Sequence, residues 1–316
     1  MKKKQEKQTN RSHQRYILII VFFLVLGATN AGTYFFSQQS EKVATSSSLS
    51  LLNPIRSFID QKDLIINLQP LRDYLNEKYG TDSNVSIYFE YLPTGANIAL
   101  QKDAEFYPAS LLKVPVAMAV ARKIERGDWK WTNELVLMST DKNDEFGTLY
   151  KKPTNSTYTI EELVRRSLAD SDNTAHFMLV RNLDIEEMKD VYDHMGLEGF
   201  LETEGTLSAK KYSIMFRALY SSSFLTEKNS QKLLLSLSQS PFNAYIQSAL
   251  PEDIVFAHKI GIDTAKKVYL DSGIVYAKSR PYILTIMTKN KDEEIAQKIM
   301  ADVSEKVYNY VTNYKE

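Results

Sequence analysis

The 316-residue chain contains no cysteine. That absence excludes disulfide staples, thiolate metal sites, a cysteine nucleophile and a lipid-modified N-terminal cysteine. Glycine is scarce as well, with 11 residues, which disfavours glycine-rich nucleotide-binding architectures. The 4 histidines (His13, His176, His194 and His258) lack ligand spacing, so neither a metal nor a cofactor is expected. Neither sign of charge is in excess: 39 basic side chains face 39 acidic ones. Nothing therefore draws the chain toward nucleic acid. No internal repeat is visible. What is present is ordinary apolar content, 43%, and enough length for one large domain or two small ones.

The N-terminus is asymmetric. Residues 1–15 carry Lys2, Lys3, Lys4, Lys7, Arg11 and Arg15 against one acid, Glu6. Residues 16–36 are uncharged and mostly apolar, and as a helix would extend about 31 Å, the thickness of a hydrocarbon core. The pattern predicts a basic cytoplasmic tail over 1–15, a single transmembrane anchor over 16–36, and everything downstream on the outer side of the cell membrane. Thr29-Asn30-Ala31 leaves a cleaved signal peptide as the alternative, which also exports the rest. Residues 37–65 open on the serine-rich run SQQSEKVATSSSLS and read as stalk and linker. Residues 66–316 remain as the folded domain.

Within that domain, Leu71 to Tyr79 has helical periodicity and stops at Gly80. Asn84 to Glu90 alternates, Pro93-Thr94-Gly95 is turn chemistry and Ala96 to Leu100 returns, which predicts a β-hairpin. Val114 to Glu125 is apolar on all sides and reads as a buried helix. The middle, about Thr132 to Ser240, is mostly helical, with Thr159 and Glu162 spaced as a capping box. Ile254 to Ile260, Lys267 to Tyr276 and Tyr282 to Thr288 read as strands, followed by an amphipathic helix from Lys291 to Tyr310. Strands at both ends around a helical block predict an α+β domain built on one antiparallel sheet.

Three short motifs carry chemistry. In Ser110-Leu111-Leu112-Lys113 the first and last residues share a helix face, so the lysine amine can address the serine hydroxyl. A desolvated lysine with a lowered pKa can serve as the base for such a serine. The flanking Leu111, Leu112, Val114, Pro115 and Val116 would bury Lys113, an unfavourable placement unless it has a use. In Ser171-Asp172-Asn173, Ser171 can pass a proton to a leaving group, Asn173 can donate to a substrate carbonyl, and Asp172 is suited to holding the loop. In Lys259-Ile260-Gly261, Lys259 can attract a carboxylate, and Gly261 allows substrate close to the backbone.

Ser-x-x-Lys, Ser-Asp-Asn and Lys-x-Gly in this order resemble the class A β-lactamase and penicillin-binding-protein superfamily, over roughly Leu71 to the C-terminus. The resemblance implies a β-lactamase/transpeptidase-like α+β fold, an antiparallel sheet flanked by helices with an all-helical subdomain. It implies that Ser110 attacks an amide or ester carbonyl, that Lys113 is its base, and that Ser171 and Lys259 line the proton route to the leaving group. The backbone N–H groups of Ser110 and Ile262 would form the oxyanion hole, with Asn173 and Gly261 also at the substrate.

This sequence departs from the superfamily in three places. Ile260 replaces a hydroxyl residue that contacts the substrate carboxylate, and Ser272 stands before Gly273 where class A enzymes often have an arginine anchor. The stretch between Asn173 and Ser208 is short for the loop that supplies a deacylating glutamate. Glu204 is the candidate base there, against a reading of Glu198, Glu202 and Glu204 as a solvated face. The expectation is a membrane-anchored extracytoplasmic active-site-serine hydrolase, acylated by a β-lactam or by a D-alanyl amide or ester of peptidoglycan or teichoic-acid type. The alternative is a catalytically weak or inactive penicillin-binding-protein-like module that binds or regulates the wall.

Overall fold

Alternating apolar side chains on five strands give a sheet whose two faces both demand cover, and the chain supplies helices for each. The computed structural model describes residues 50–52, 64–65, 67–202 and 205–315. The expected tail and anchor, most of the expected linker, and Glu204 lie outside the described residues. No helix among the described residues is long and apolar enough to cross a membrane.

The strands are β1 (Val85–Tyr91), β2 (Ala96–Leu100), β5 (Phe256–Asp263), β6 (Val268–Val275) and β7 (Tyr282–Thr288), with a small β3/β4 pair at Glu134–Val136 and Thr157–Thr159. The main sheet has the order β2-β1-β7-β6-β5, antiparallel throughout, so N- and C-terminal segments meet at β1 and β7. One face is covered by α1 (Gln69–Tyr79) and the C-terminal α8 (Glu293–Asn313), around Leu71, Leu75, Phe89, Ile286, Met300 and Val307. The other carries the helical block: α2 (Lys113–Glu125), α3 (Ile160–Leu168), α4 (Asn173–Val180), α5 (Ile185–His194), α6 (Ala209–Ser221) and α7 (Glu227–Leu237). This is the α+β arrangement the sequence predicts.

Local signals set the helix ends. Thr159 Oγ1 accepts from Glu162 N and Ser208 Oγ from Lys211 N, each satisfying an otherwise unpaired first-turn donor. Helix α2 is buried from Lys113 through Ala121, as its all-round apolar sequence requires. Helix α1 ends at Gly80 as its sequence predicts, with that glycine at φ −63°. One expectation is corrected. Leu51, assigned to the linker, is fully buried in the core; its N–H donates to Gln231 Oε1 and its carbonyl accepts from Tyr276 Oη. Leu51 is therefore part of the core although it lies within the expected linker, because its apolar side chain has a place there.

Candidate active site

The serine sits on a tight turn. Ala109 adopts φ 46°, a left-handed conformation uncommon for alanine, and a 3-10 turn over Ala109–Leu112 runs directly into α2. Ser110 and Lys113 thereby share one face, and Lys113 Nζ lies 2.7 Å from Ser110 Oγ. The same amine is 2.6 Å from Asn173 Oδ1 and 3.3 Å from Ser171 Oγ. Lys113 is 2% exposed. Burial lowers its pKa to about 8, against the opposing pull of the Asp172 and Glu145 carboxylates.

The Ser-Asp-Asn turn is built as carefully. Ser171 is buried at φ 55°, and Asp172 caps α4 by accepting from Ala175 N. Its other oxygen accepts from the N–H groups of Thr148 and Leu149. Asp172 therefore holds the loop, as read from the sequence. Gly147, at φ +90°, lies so close that an added Cβ would fall 2.2 Å from the Asp172 carboxyl carbon. Asn173 has a further task that the sequence did not suggest: its Oδ1 accepts from Lys113 and its Nδ2 donates to Asn143 Oδ1 at 2.9 Å. It thus orients the lysine, and one amide hydrogen is committed to Asn143 rather than to a substrate.

Lys259 lies on β5 on the face of Ala257 and Gly261, toward the helical block, and is 1% exposed. Its pKa is pushed well below the ordinary lysine value by burial and by the nearby Lys113 charge, only partly offset by Asp271 and Asp170. It is not an exposed edge-strand lysine. Its link to Lys113 is electrostatic, with no hydrogen bond to Ser110, Lys113, Ser171 or Asn173 among the described residues. Gly261 also has a different role from the one predicted. A Cβ there would stand 2.8 Å from the Pro108 carbonyl oxygen and 3.1 Å from Leu111 Cγ, so the glycine admits the serine turn, not the substrate, against β5. Ile260 is turned to the opposite face and buried in the α1/α8 core. The Ser272 hydroxyl is tied to Thr285 Oγ1 at 2.6 Å in a buried chain that continues to Ser213.

A cleft of about 610 Å³ opens over these groups, lined by Ser110, Lys113 and Asn173 and with Ile262 in its wall. Matching residues 69–311, the family model described as the beta-lactamase enzyme family covers the folded domain. The chain belongs to the β-lactamase enzyme family. It is a serine hydrolase of the β-lactamase type. Among solved structures, it is similar to PBP-A, at 22% identity and TM-score 0.71 over 78% of this chain and 97% of that one. It is likewise similar to a β-lactamase from Sphaerobacter thermophilus, at 21% identity and TM-score 0.70 over 79% and 100%. A single-residue mutant of PBP-A, solved as an acyl-enzyme complex with penicillin G, matches at 22% identity and TM-score 0.70, over 78% and 98%.

For this β-lactamase-family chain, the structure brings together Ser110, Lys113, Ser171 and Asn173 directly. Ile262 stands on the cleft wall, while Lys259 and Gly261 lie behind it. Sequence reasoning missed the loop that closes the other side. Asn143 binds Asn173, Phe146 accepts from Asn173 N at 3.0 Å, and Glu145 lines the cleft. Its polar, turn-rich sequence gave only a loop. His176, one helical turn beyond Asn173, also lines the cleft, and its Nδ1 is buried without a hydrogen-bond partner. Burial and the two lysines, Lys113 and Lys259, lower its pKa to about 3, so it is neutral near pH 7.

Proposed function

We propose that the protein is a membrane-anchored, extracytoplasmic acyl hydrolase that forms an acyl-enzyme on Ser110. The observation that carries this reading is the Lys113 amine 2.7 Å from Ser110 Oγ, buried and with its pKa near 8. In its neutral form the amine takes the hydroxyl proton as Ser110 Oγ attacks the substrate carbonyl. Ser171, 3.3 Å from the same amine, passes the proton to the leaving group, with Lys259 adding positive potential behind it. Ser110 and Ile262 supply the oxyanion donors; β5 is an edge strand of the main sheet, which leaves backbone groups free to face the cleft.

The substrate is an acyl amide or ester of cell-wall type, with β-lactams acting as acylating analogues that are released slowly. The burial of Ile260 away from the cleft and the sequestration of Ser272 support weak recognition of a β-lactam carboxylate. The basic run over 1–15 and the apolar segment over 16–36 support anchoring with the domain outside. Intact-mass measurement after penicillin G, followed in time, together with fluorophosphonate labelling, tests the chemistry. A persistent adduct on Ser110 is expected, and no adduct on Ser110 from either reagent overturns the reading. Protease treatment of intact cells tests the location: the domain should be digested while cytoplasmic proteins survive.

A further inference from the structure

The C-terminal end of α8 carries a second concave surface, on the sheet face opposite the serine. Over 309–314 the pair Asn-Tyr occurs twice, four residues apart. On a helix that offset is one turn, about 6 Å of rise, so Asn309 and Asn313 form one row and Tyr310 and Tyr314 another. The rings are fixed. Tyr314 Oη accepts from Asn67 N at 3.0 Å, and Tyr310 Oη donates to the carbonyl oxygen of the same residue. Their centres lie 5.8 Å apart. Buried Arg280 backs Tyr314, 5.9 Å from its ring centre, and donates to the carbonyls of Val311 and Tyr314. Both rings are half-buried and line a groove of about 560 Å³, a volume within the range of ligand sites. The asparagines are exposed, and their amides have no hydrogen bond among the described residues. Lys306 and Lys315 line the same groove without an ion pair, and no carboxylate lines it, among the described residues. Lys306 is held by a cation–π contact: its Nζ lies 4.4 Å from the ring centre of Tyr74, whose hydroxyl donates to Asp302.

We propose that this groove is a binding site for an acidic glycan. Aromatic rings recurring at a fixed step suit a ligand of repeating rings, whose C–H faces stack on tyrosine. Each asparagine amide offers two donors and an acceptor, the complement of neighbouring hydroxyls. Two lysines with no carboxylate beside them match phosphate or carboxylate groups on the polymer. A neutral glycan leaves those lysines unmatched, and a peptide lacks the repeated hydroxyls. The sheet separates the groove from Ser110, so a bound polymer leaves the serine cleft open. No bond is made or broken in the groove; it holds the domain on the polymer.

Calorimetric titration of the full chain in detergent tests the site with three probes: a phosphomannan, an oligogalacturonate and dextran. They carry phosphate, carboxylate and no charge. At least one acidic probe should bind, at least tenfold more tightly than dextran, and the tighter of the two identifies the acidic group. Asn309→Ala combined with Asn313→Ala should weaken that binding about tenfold, the size of two modest hydrogen bonds. Lys306→Gln should narrow the preference over dextran. These positions lie at the surface, and an unchanged circular dichroism spectrum verifies that the variants fold. Ser110→Ala should bind as the wild type does, which keeps this site separate from the hydrolase reading. Four results each overturn the proposal and leave that reading standing: no probe bound, dextran bound as tightly as both acidic polymers, wild-type binding in all the groove variants, or binding lost in Ser110→Ala.

Discussion

Gly261 and Pro108 are packed backbone to backbone: a single added Cβ on the glycine would come within 2.8 Å of the proline carbonyl oxygen. The same carbonyl accepts from Leu111 N at 2.9 Å, so pressure on it is transmitted to the turn that carries Ser110. Gly261→Val should displace that turn and slow fluorophosphonate labelling of Ser110 by roughly a hundredfold, since small misplacements of a nucleophile are costly. Labelling at the wild-type rate would show that β5 yields instead of the serine turn.

Lys113 sets the pH dependence. Its folded pKa of about 8 means that the neutral, proton-accepting form grows as pH rises. Acylation should fall about tenfold per unit below pH 8 and level off above it. Lys113→Arg, permanently protonated, should lose about a thousandfold or more in acylation rate. The same shift has a stability consequence of defined sign. Between about 8 and the unfolded value near 10.5 the unfolded chain binds more protons, so this group makes stability rise with pH across that window. A rate profile flat from pH 6 to 9 would remove Lys113 from the role of base.

Asp172 offers a test that separates structure from chemistry. It accepts three backbone N–H groups, from Ala175, Thr148 and Leu149, and its charge raises the pKa of Lys113. Asp172→Ala should cost about 3 kcal/mol, because it removes a helix cap and leaves two further donors without a partner. Asp172→Asn should cost less and shift the acylation limb to lower pH, since loss of the carboxylate lowers the Lys113 pKa further. Chemical denaturation and a pH–rate profile read the two effects independently, and an upward shift of the limb would contradict the electrostatic assignment.

Ile260 is a place where restoring the superfamily pattern should fail. Its side chain is 1% exposed and packs in the core beneath α1 and α8. Ile260→Thr puts a hydroxyl into that core and should destabilise the protein by about 1–3 kcal/mol, with no gain in penicillin G acylation. A faster acylation by the threonine variant would show that the residue reaches the cleft.

Features that depend on neighbours along the chain could be read from the order of amino acids. The pairing of Ser110 with Lys113 follows from a three-residue offset on one helical face, and the Thr159 and Ser208 caps and the β1/β2 hairpin are equally local. Asp172 as the brace of its loop was legible for the same reason, because Ser-Asp-Asn before a helix is capping chemistry. What each residue faces across the chain was settled by packing. Whether Lys259 or Ile260 looks toward the cleft depends on which sheet face meets the helical block. Whether Gly261 admits substrate or the Pro108 carbonyl depends on how closely two distant segments pack. The attachment of Asn143 and Phe146 to Asn173, and of Leu51 to Gln231, joins residues far apart in sequence. Such contacts leave no periodic trace, because a hydrogen bond between remote loops constrains only its two ends.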